Sequence, residues 1–183
     1  MDTVIDRPWT VESFLAWEDR QEGRHEFDGL DIVPMTGGTV AHQKIVAFLL
    51  ILLDRLLAGR PFLTVHKIRL RIGDRARYPD VLVTAAPVDQ TARTLTDAIV
   101  IFEVLSDDTA TTDRVAKLNE YAELPSVRAY ILLEQTSIGA TVLRREPGQP
   151  WIATAQTAGT IALPELGIEL PLADLYQGLT FPS

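Results

Sequence analysis

The sequence contains no cysteine, so it has neither a disulfide framework nor a thiolate metal site. That composition suits a reducing cytoplasm, the compartment expected here. A long apolar run is also missing. The most apolar stretch, "IVAFLLILL" at residues 45–53, is bracketed by His42, Lys44 and Asp54-Arg55 and is too short to cross a bilayer, so it reads as a buried helix. The N-terminal "MDTVIDRPWT" is acidic and has no apolar centre, which argues against a signal peptide and a membrane partner. There is no internal repeat, low-complexity segment or linker, and no zinc finger or recognition helix that would read bases. An excess of positive charge is lacking too. The net charge is −8, which weighs against a general nucleic-acid binder because phosphate contacts need local cations.

What is present belongs to an ordinary globular chain: 46% apolar and 23% charged residues over 183 positions, enough for one well-packed domain. A first helix is expected from Thr10 as N-cap through Glu22, with Val11, Phe14 and Leu15 facing inward and Gly23 as the stop. In "RHEFDGLDIVPM", Asp28-Gly29 between two short runs signals a hairpin. The longest helix should run from about Thr39 to Ala58, ahead of Gly59. Strands follow near 62–72 and 79–84, then a Pro-, Asp- and Thr-rich loop and a strand through "AIVIFEVL". Ser106 to Thr109 offer N-cap chemistry for a helix to about Glu123, and "VRAYILLEQ" is a further strand. Residues 136–183 read as a β-rich tail closing on a small helix near "LADLYQGL". The order predicts a mixed α/β (α+β) fold, a central mixed sheet flanked by helices, in a single domain over 1–183.

The cations are unevenly spread. Six of the 17 Lys and Arg fall between Arg60 and Arg77, opposed only by Asp74. In "HKIRLRI" Lys67, Arg69 and Arg71 alternate with apolar residues, so one strand would place all three on one face. That face is either the solvated side of a half-buried strand or a stripe turned toward phosphates.

One carboxylate stands out. Glu103 follows Ile99-Val100-Ile101-Phe102 and precedes Val104-Leu105, in a strand apolar enough to be buried on both faces. A lone carboxylate there costs several kcal/mol unless it is paired, protonated or bound to a cation. Asp80, which opens a strand in "YPDVLVT", is a candidate companion, since antiparallel neighbours would bring the start of one strand beside the end of the other. Two converging carboxylates repel without a cation or proton between them, and oxygen ligands suit Mg²⁺ or Mn²⁺ rather than zinc. Four residues apart on the next helix, Asp113 and Lys117 share a face, and Lys117 lies beside Tyr121 on the flank of an apolar arc. Taken alone the pair reads as a surface ion pair, though a lysine there can also run its stem along a sheet toward the strand ends. His25 and His66 show no spacing suited to a shared metal.

Together "YPDVLV", "IFEVLSDDT", "DRVAKLNEYAELPSVRAYILLEQ" and "HEFDGLDIVPM…AHQKI" resemble a large bacterial family of restriction-endonuclease-like proteins, mostly uncharacterised, in the PD-(D/E)XK nuclease superfamily. The resemblance covers roughly residues 8 to 135, and the order and spacing of the motifs carry it. It implies a restriction-endonuclease-like core in which Asp80 and Glu103 bind Mg²⁺ or Mn²⁺ with the backbone carbonyl of Val104. The superfamily's lysine stands two residues after the acid. Here that position is Leu105, and Lys117 on the following helix matches the relocated lysine. Glu26 matches a glutamate before the family's "DG" turn and would be a further metal or water ligand, against the plainer reading of an outward strand residue paired with His25 or Arg24. His42, with Gln43 beside it, matches a histidine early in the long helix, where it is either an active-site group or a hydrogen-bonding residue of the helix start. Tyr78 and Ser106 would support the site by packing and capping.

The function so implied is metal-dependent phosphodiester hydrolysis of nucleic acid, DNA above all, by a homodimer. Lys67, Arg69 and Arg71 would position the backbone by charge alone. Two other readings remain open: a binding or regulatory module that keeps the fold without turnover, and a metal-dependent hydrolase of a small phosphate ester.

Overall fold

The computed structural model describes residues 9–35, 37–105, 111–146 and 148–181. In chain order the elements are α1 (Val11–Glu18), β1 (His25–Phe27), β2 (Ile32–Pro34), α2 (Val40–Leu57), β3 (Phe62–His66), β4 (Arg69–Ile72) and β5 (Arg75–Arg77). Next come β6 (Val81–Ala85), β7 (Thr94–Leu95), β8 (Val100–Val104), α3 (Thr111–Ala122), β9 (Ala129–Leu133) and β10 (Ala140–Arg144). The chain closes with β11 (Ile152–Gln156), β12 (Thr160–Leu163), β13 (Ile168–Pro171) and a 3₁₀ turn at Leu172–Tyr176.

A six-stranded sheet in the order β11-β10-β9-β8-β6-β3 forms the centre. Only β8 and β9 run parallel in it, so the sheet is mixed, in keeping with the α+β expectation. Its two faces are covered differently. Val100, Phe102 and Val104 of β8 point into a core with Ile45, Leu49 and Leu53 of α2 and with the β12–β13 hairpin. Ile101 and Leu105 point the other way, toward Tyr121 of α3 and Leu70 and Ile72 of β4. Alternation along a strand therefore puts Glu103 on the α3 side of the sheet, with Ile101 and Leu105.

The longest helix starts where the sequence indicates. Thr39 caps α2 by accepting from the His42 N–H, and the buried residues His42, Ile45, Val46, Leu49, Leu52, Leu53 and Leu57 form one apolar stripe. Thr10 and Ser13 form a reciprocal capping box on α1. That helix is shorter than expected, because Arg20 and Gln21 bond back three residues to Trp17 and Glu18 and tighten the chain out of the α-helix at Glu18. The Asp28-Gly29 signal does close a hairpin, but through a four-residue loop in which Asp28 Oδ1 accepts from the N–H groups of Leu30 (2.8 Å) and Asp31 (2.7 Å).

A second, five-stranded sheet, β2-β1-β5-β4-β7, was not foreseen. Phe14 of α1 stacks on Phe27 of β1 at 5.3 Å between ring centres and closes a small core there with Val11 and Ala76. This sheet also corrects the single strand expected over 62–72. The chain turns at Lys67, whose φ of +47° lies in the left-handed region, and so β3 joins the central sheet while β4 joins the second.

Candidate active site

The pairing of β6 with β8 brings the two acids together. The register is antiparallel, with Val81 opposite Phe102 and Leu82 opposite Ile101, and one step further sets Asp80 opposite Glu103. Asp80 is buried, and its Oδ2 accepts from two donors, the backbone N–H of Val104 at 2.9 Å and His42 Nε2 at 3.0 Å. An ionised carboxylate can only accept, so the proton on His42 is at Nε2. Nδ1 of the same ring is buried without a partner among the described residues. His42 is thus both part of the first turn of α2 and a direct support for Asp80. Gly38 packs against its ring, where a Cβ would lie 2.7 Å from Nδ1.

Glu103 receives the Tyr121 hydroxyl at 3.0 Å on Oε1. The Lys117 ammonium stands 3.7 Å from the same oxygen and 3.7 Å from Glu26 Oε2, so the displaced lysine reaches the strand ends. Lys117 and Tyr121 are four apart on α3 and share its inner face. Leu105, at the superfamily's usual lysine position, is buried in the apolar core on that side of the sheet. Burial is the main force on the Glu103 carboxyl. It outweighs the pull of Lys117, the charges of Asp80 and Glu26 add to it, and the pKa is pushed up to about 8. The Tyr121 hydroxyl is pushed well above its ordinary range, by burial first and by the Glu103 charge second.

Glu26 belongs to the cluster in a different way from the one expected. It is buried rather than outward-facing, and both its oxygens already have protein partners. Oε1 accepts from the Tyr78 N–H at 3.0 Å, while Oε2 faces Arg77 Nη1 at 3.2 Å as well as Lys117. In this arrangement it serves as a counter-charge to Arg77 and Lys117. Among the described residues no group of three His, Asp or Glu side chains stands at metal-ligand spacing. Asp80 Oδ1 and Glu103 Oε2 accept no hydrogen bond from the described residues. The two carboxylates, next to the Val104 peptide, make a hard-oxygen donor set. It fits Mg²⁺ or Mn²⁺, which bind through one or two carboxylates and retain water, and does not fit zinc.

The stripe of Lys67, Arg69 and Arg71 is overturned. Lys67 sits at the left-handed turn, off the strand that carries the other two. Arg69 is buried: its Nη2 pairs with Glu18 and, at 2.6 Å, with Asp19, and its Nε donates to the Tyr78 hydroxyl at 3.0 Å. Arg71 pairs with Glu12 of α1 at 2.7 Å. Arg75 and Arg77 are also answered from within the chain, Arg75 by Glu123 at 2.7 Å and Arg77 by Glu120 at 2.7 Å. Ser106 and the side chain of Asp113 lie outside the described residues, so the capping and the Asp113–Lys117 pair expected of them do too.

Tyr121, Arg77 and Glu120 were not singled out from the sequence. A helical signal existed for two of them: Glu120 and Tyr121 stand three and four residues after Lys117, on the same face. Arg77 lies three residues ahead of Asp80 and gave no periodic signal.

The comparisons with known proteins agree with this architecture. A cyanobacterial relative, "Uncharacterized protein slr1290" of Synechocystis sp., is 29% identical over 175 residues, 93% of this chain and 92% of its own length. A second from the same organism, "Uncharacterized protein sll1609", is 26% identical over 151 residues, 79% of this chain and 85% of its own. Among solved structures, "a putative nuclease belonging to DUF820 from Anabaena variabilis ATCC 29413" superposes with a TM-score of 0.76 at 19% identity, covering 92% of this chain and 98% of that one, and shares the fold. Residues 11–173 match the Uma2 family, described as "Putative restriction endonuclease", and the chain belongs to that family.

Proposed function

We propose that this protein is a metal-dependent endonuclease that hydrolyses phosphodiester bonds of nucleic acid, with DNA as the first substrate to test and Mg²⁺ or Mn²⁺ as the cofactor. The observation that carries this reading is the convergence of Asp80 and Glu103 across one strand pair, with Lys117 3.7 Å from Glu103. Asp80 and Glu103, with the Val104 carbonyl, would hold the ion. A divalent ion in such a site supplies positive charge to a non-bridging phosphate oxygen and acidity to water. His42 and the Val104 N–H fix the Asp80 carboxylate through one oxygen and leave the other for binding. Tyr121 does the same for Glu103. Lys117 would orient the attacking water, or donate to the phosphate oxygen on which charge develops. Cutting both strands of a duplex calls for two such sites, hence a homodimer.

Calorimetry with Mn²⁺ and cleavage of plasmid and oligonucleotide substrates test the reading. Wild type should bind Mn²⁺ and cut only when the ion is present, and Asp80→Ala should abolish both. Absence of Mn²⁺ binding up to millimolar concentration in wild type would sink it. One observation favours a second reading, a hydrolase of a small phosphate ester. Two of the three cations expected to track a polymer backbone, Arg69 and Arg71, are paired within the chain. Turnover of mononucleotides or simple phosphodiesters, with none of DNA or RNA, would select that reading.

A further inference from the structure

The proposed chemistry gives no part to the buried cation that borders Glu26 and Glu120. Arg77, the last residue of β5, is 4% exposed, and its guanidinium forms a bidentate pair with Glu120 of α3: Nε to Oε2 at 2.7 Å and Nη2 to Oε1 at 2.7 Å. Its third nitrogen, Nη1, faces Glu26 Oε2 at 3.2 Å. The fork geometry fixes direction as well as distance, which a lysine ammonium would not. Burial works against the charge, but the Glu120 bond and the charges of Glu26 and Glu120 hold the Arg77 pKa above its ordinary value, so the group remains a cation.

Glu120 stands one helical turn after Lys117, on the face that also carries Tyr121. A rigid grip on Glu120 is therefore a grip on the place from which Lys117 extends. The charges lead to the same conclusion. Three carboxylates, buried Glu26 and Glu120 and partly buried Glu103, surround two cations, buried Arg77 and partly buried Lys117. Arg77 satisfies both oxygens of Glu120 and shares Oε2 of Glu26, and Lys117 then rests at 3.7 Å from Glu26 and from Glu103 alike. Without Arg77, Glu26 and Glu120 would compete with Glu103 for the ammonium.

We infer that Arg77 is the positioning residue for Lys117, acting through Glu120 and Glu26 to hold the ammonium against Glu103. The inference rests on the nuclease reading for its kinetic consequence but not for its geometry. Wild type, Arg77→Lys and Glu120→Gln are compared in the full chain by two readouts. The first uses no metal: the rate at which Lys117 is acetylated by an N-hydroxysuccinimide ester, followed by peptide mass spectrometry with Lys44 as internal reference. Lys117 should label several-fold faster in both variants and Lys44 at the wild-type rate. If Arg77→Lys fails to fold, Glu120→Gln carries the same expectation.

The second readout is Mn²⁺-dependent cleavage. A displacement of about 1 Å can cost on the order of 10²-fold in rate, so Arg77→Lys should lose at least tenfold in kcat with KM and Mn²⁺ affinity little changed. In a Lys117→Ala background the same substitution should cost nothing further, because the two residues act as one unit. Unchanged labelling of Lys117 overturns the inference whatever the activity, and so does an additive loss in the Lys117→Ala background. Faster labelling in a chain that cuts no phosphodiester supports the inference and counts against the nuclease reading instead.

Discussion

Glu103 carries most of the chemical tension in the molecule. Its carboxyl has a pKa of about 8 in the folded protein against an ordinary 4.5, so between those values the folded state holds a proton that the unfolded chain has released. Stability from this group is therefore full below the unfolded pKa and is lost as pH rises toward 8. In metal-free buffer the melting temperature should fall between pH 5 and pH 8, and Glu103→Gln, which stays neutral, should flatten that part of the curve; an equal fall in both proteins would refute the assignment. The imidazole of His42 supports a second prediction at the same scale. Because a Cβ on Gly38 would lie 2.7 Å from His42 Nδ1, Gly38→Ala should push the ring off Asp80. The expected result is weaker Mn²⁺ binding by calorimetry, roughly tenfold on the scale by which partners orienting a ligand affect metal sites, with little change in melting temperature.

At the scale of elements, the placement of α3 decides whether Lys117 reaches its target. Its inner face is tied down by Tyr121, which packs edge-on against Tyr130 of β9 at 5.0 Å and bonds Glu103, and by the Arg77–Glu120 pair. Its C-terminal end is held by Arg145, which donates to the carbonyl of Ala122 at 2.7 Å and to those of Tyr121 and Leu124, where a cation also suits the helix dipole. Arg145→Ala should destabilise the fold by about 1.5–3 kcal/mol, the scale of lost hydrogen bonds to a charged group. Chemical denaturation measures that loss, and amide exchange should rise over the last turn of α3 before it rises in β8 and β9. Much at this scale could be read in the chain: the start of α2 at Thr39, the strand of Glu103, and a lysine in position on the helix that follows. The break at Lys67 could not. "HKIRLRI" alternates as a single strand would, and only the competition between two sheets for β3 and β4 puts a left-handed residue between them.

At the scale of the whole molecule, the arginines of the second sheet are answered by acids far away in the sequence. The arginines from Arg69 to Arg77 looked unopposed because their partners are distant in sequence: Glu12, Glu18 and Asp19 on and beside α1, Glu120 and Glu123 on and after α3. The second sheet is thereby fastened to both helices. An ion that binds the folded chain and not the unfolded one stabilises it by mass action. At one hundred times its dissociation constant that amounts to about 2.7 kcal/mol, which for a chain of this size is roughly 5–10 °C in melting temperature. Mn²⁺ should raise the melting temperature of wild type by that order and leave Asp80→Ala unmoved, a comparison that differential scanning fluorimetry makes directly.

By itself the sequence determined the mixed class of the fold, the apolar stripe of α2, and the anomaly of a carboxylate in a buried strand, because periodicity and burial cost are local properties that a linear chain displays. It also marked Asp80 and Lys117 as candidates to answer Glu103, without their geometry. The tertiary structure alone decided the rest. It set Asp80 opposite Glu103, brought Lys117 within 3.7 Å, gave Glu26 the partners Tyr78 and Arg77, and turned Arg69 from a surface cation into a buried one. Those outcomes depend on which strands pair and on which distant side chain first satisfies each buried charge, and no window along the chain contains both partners.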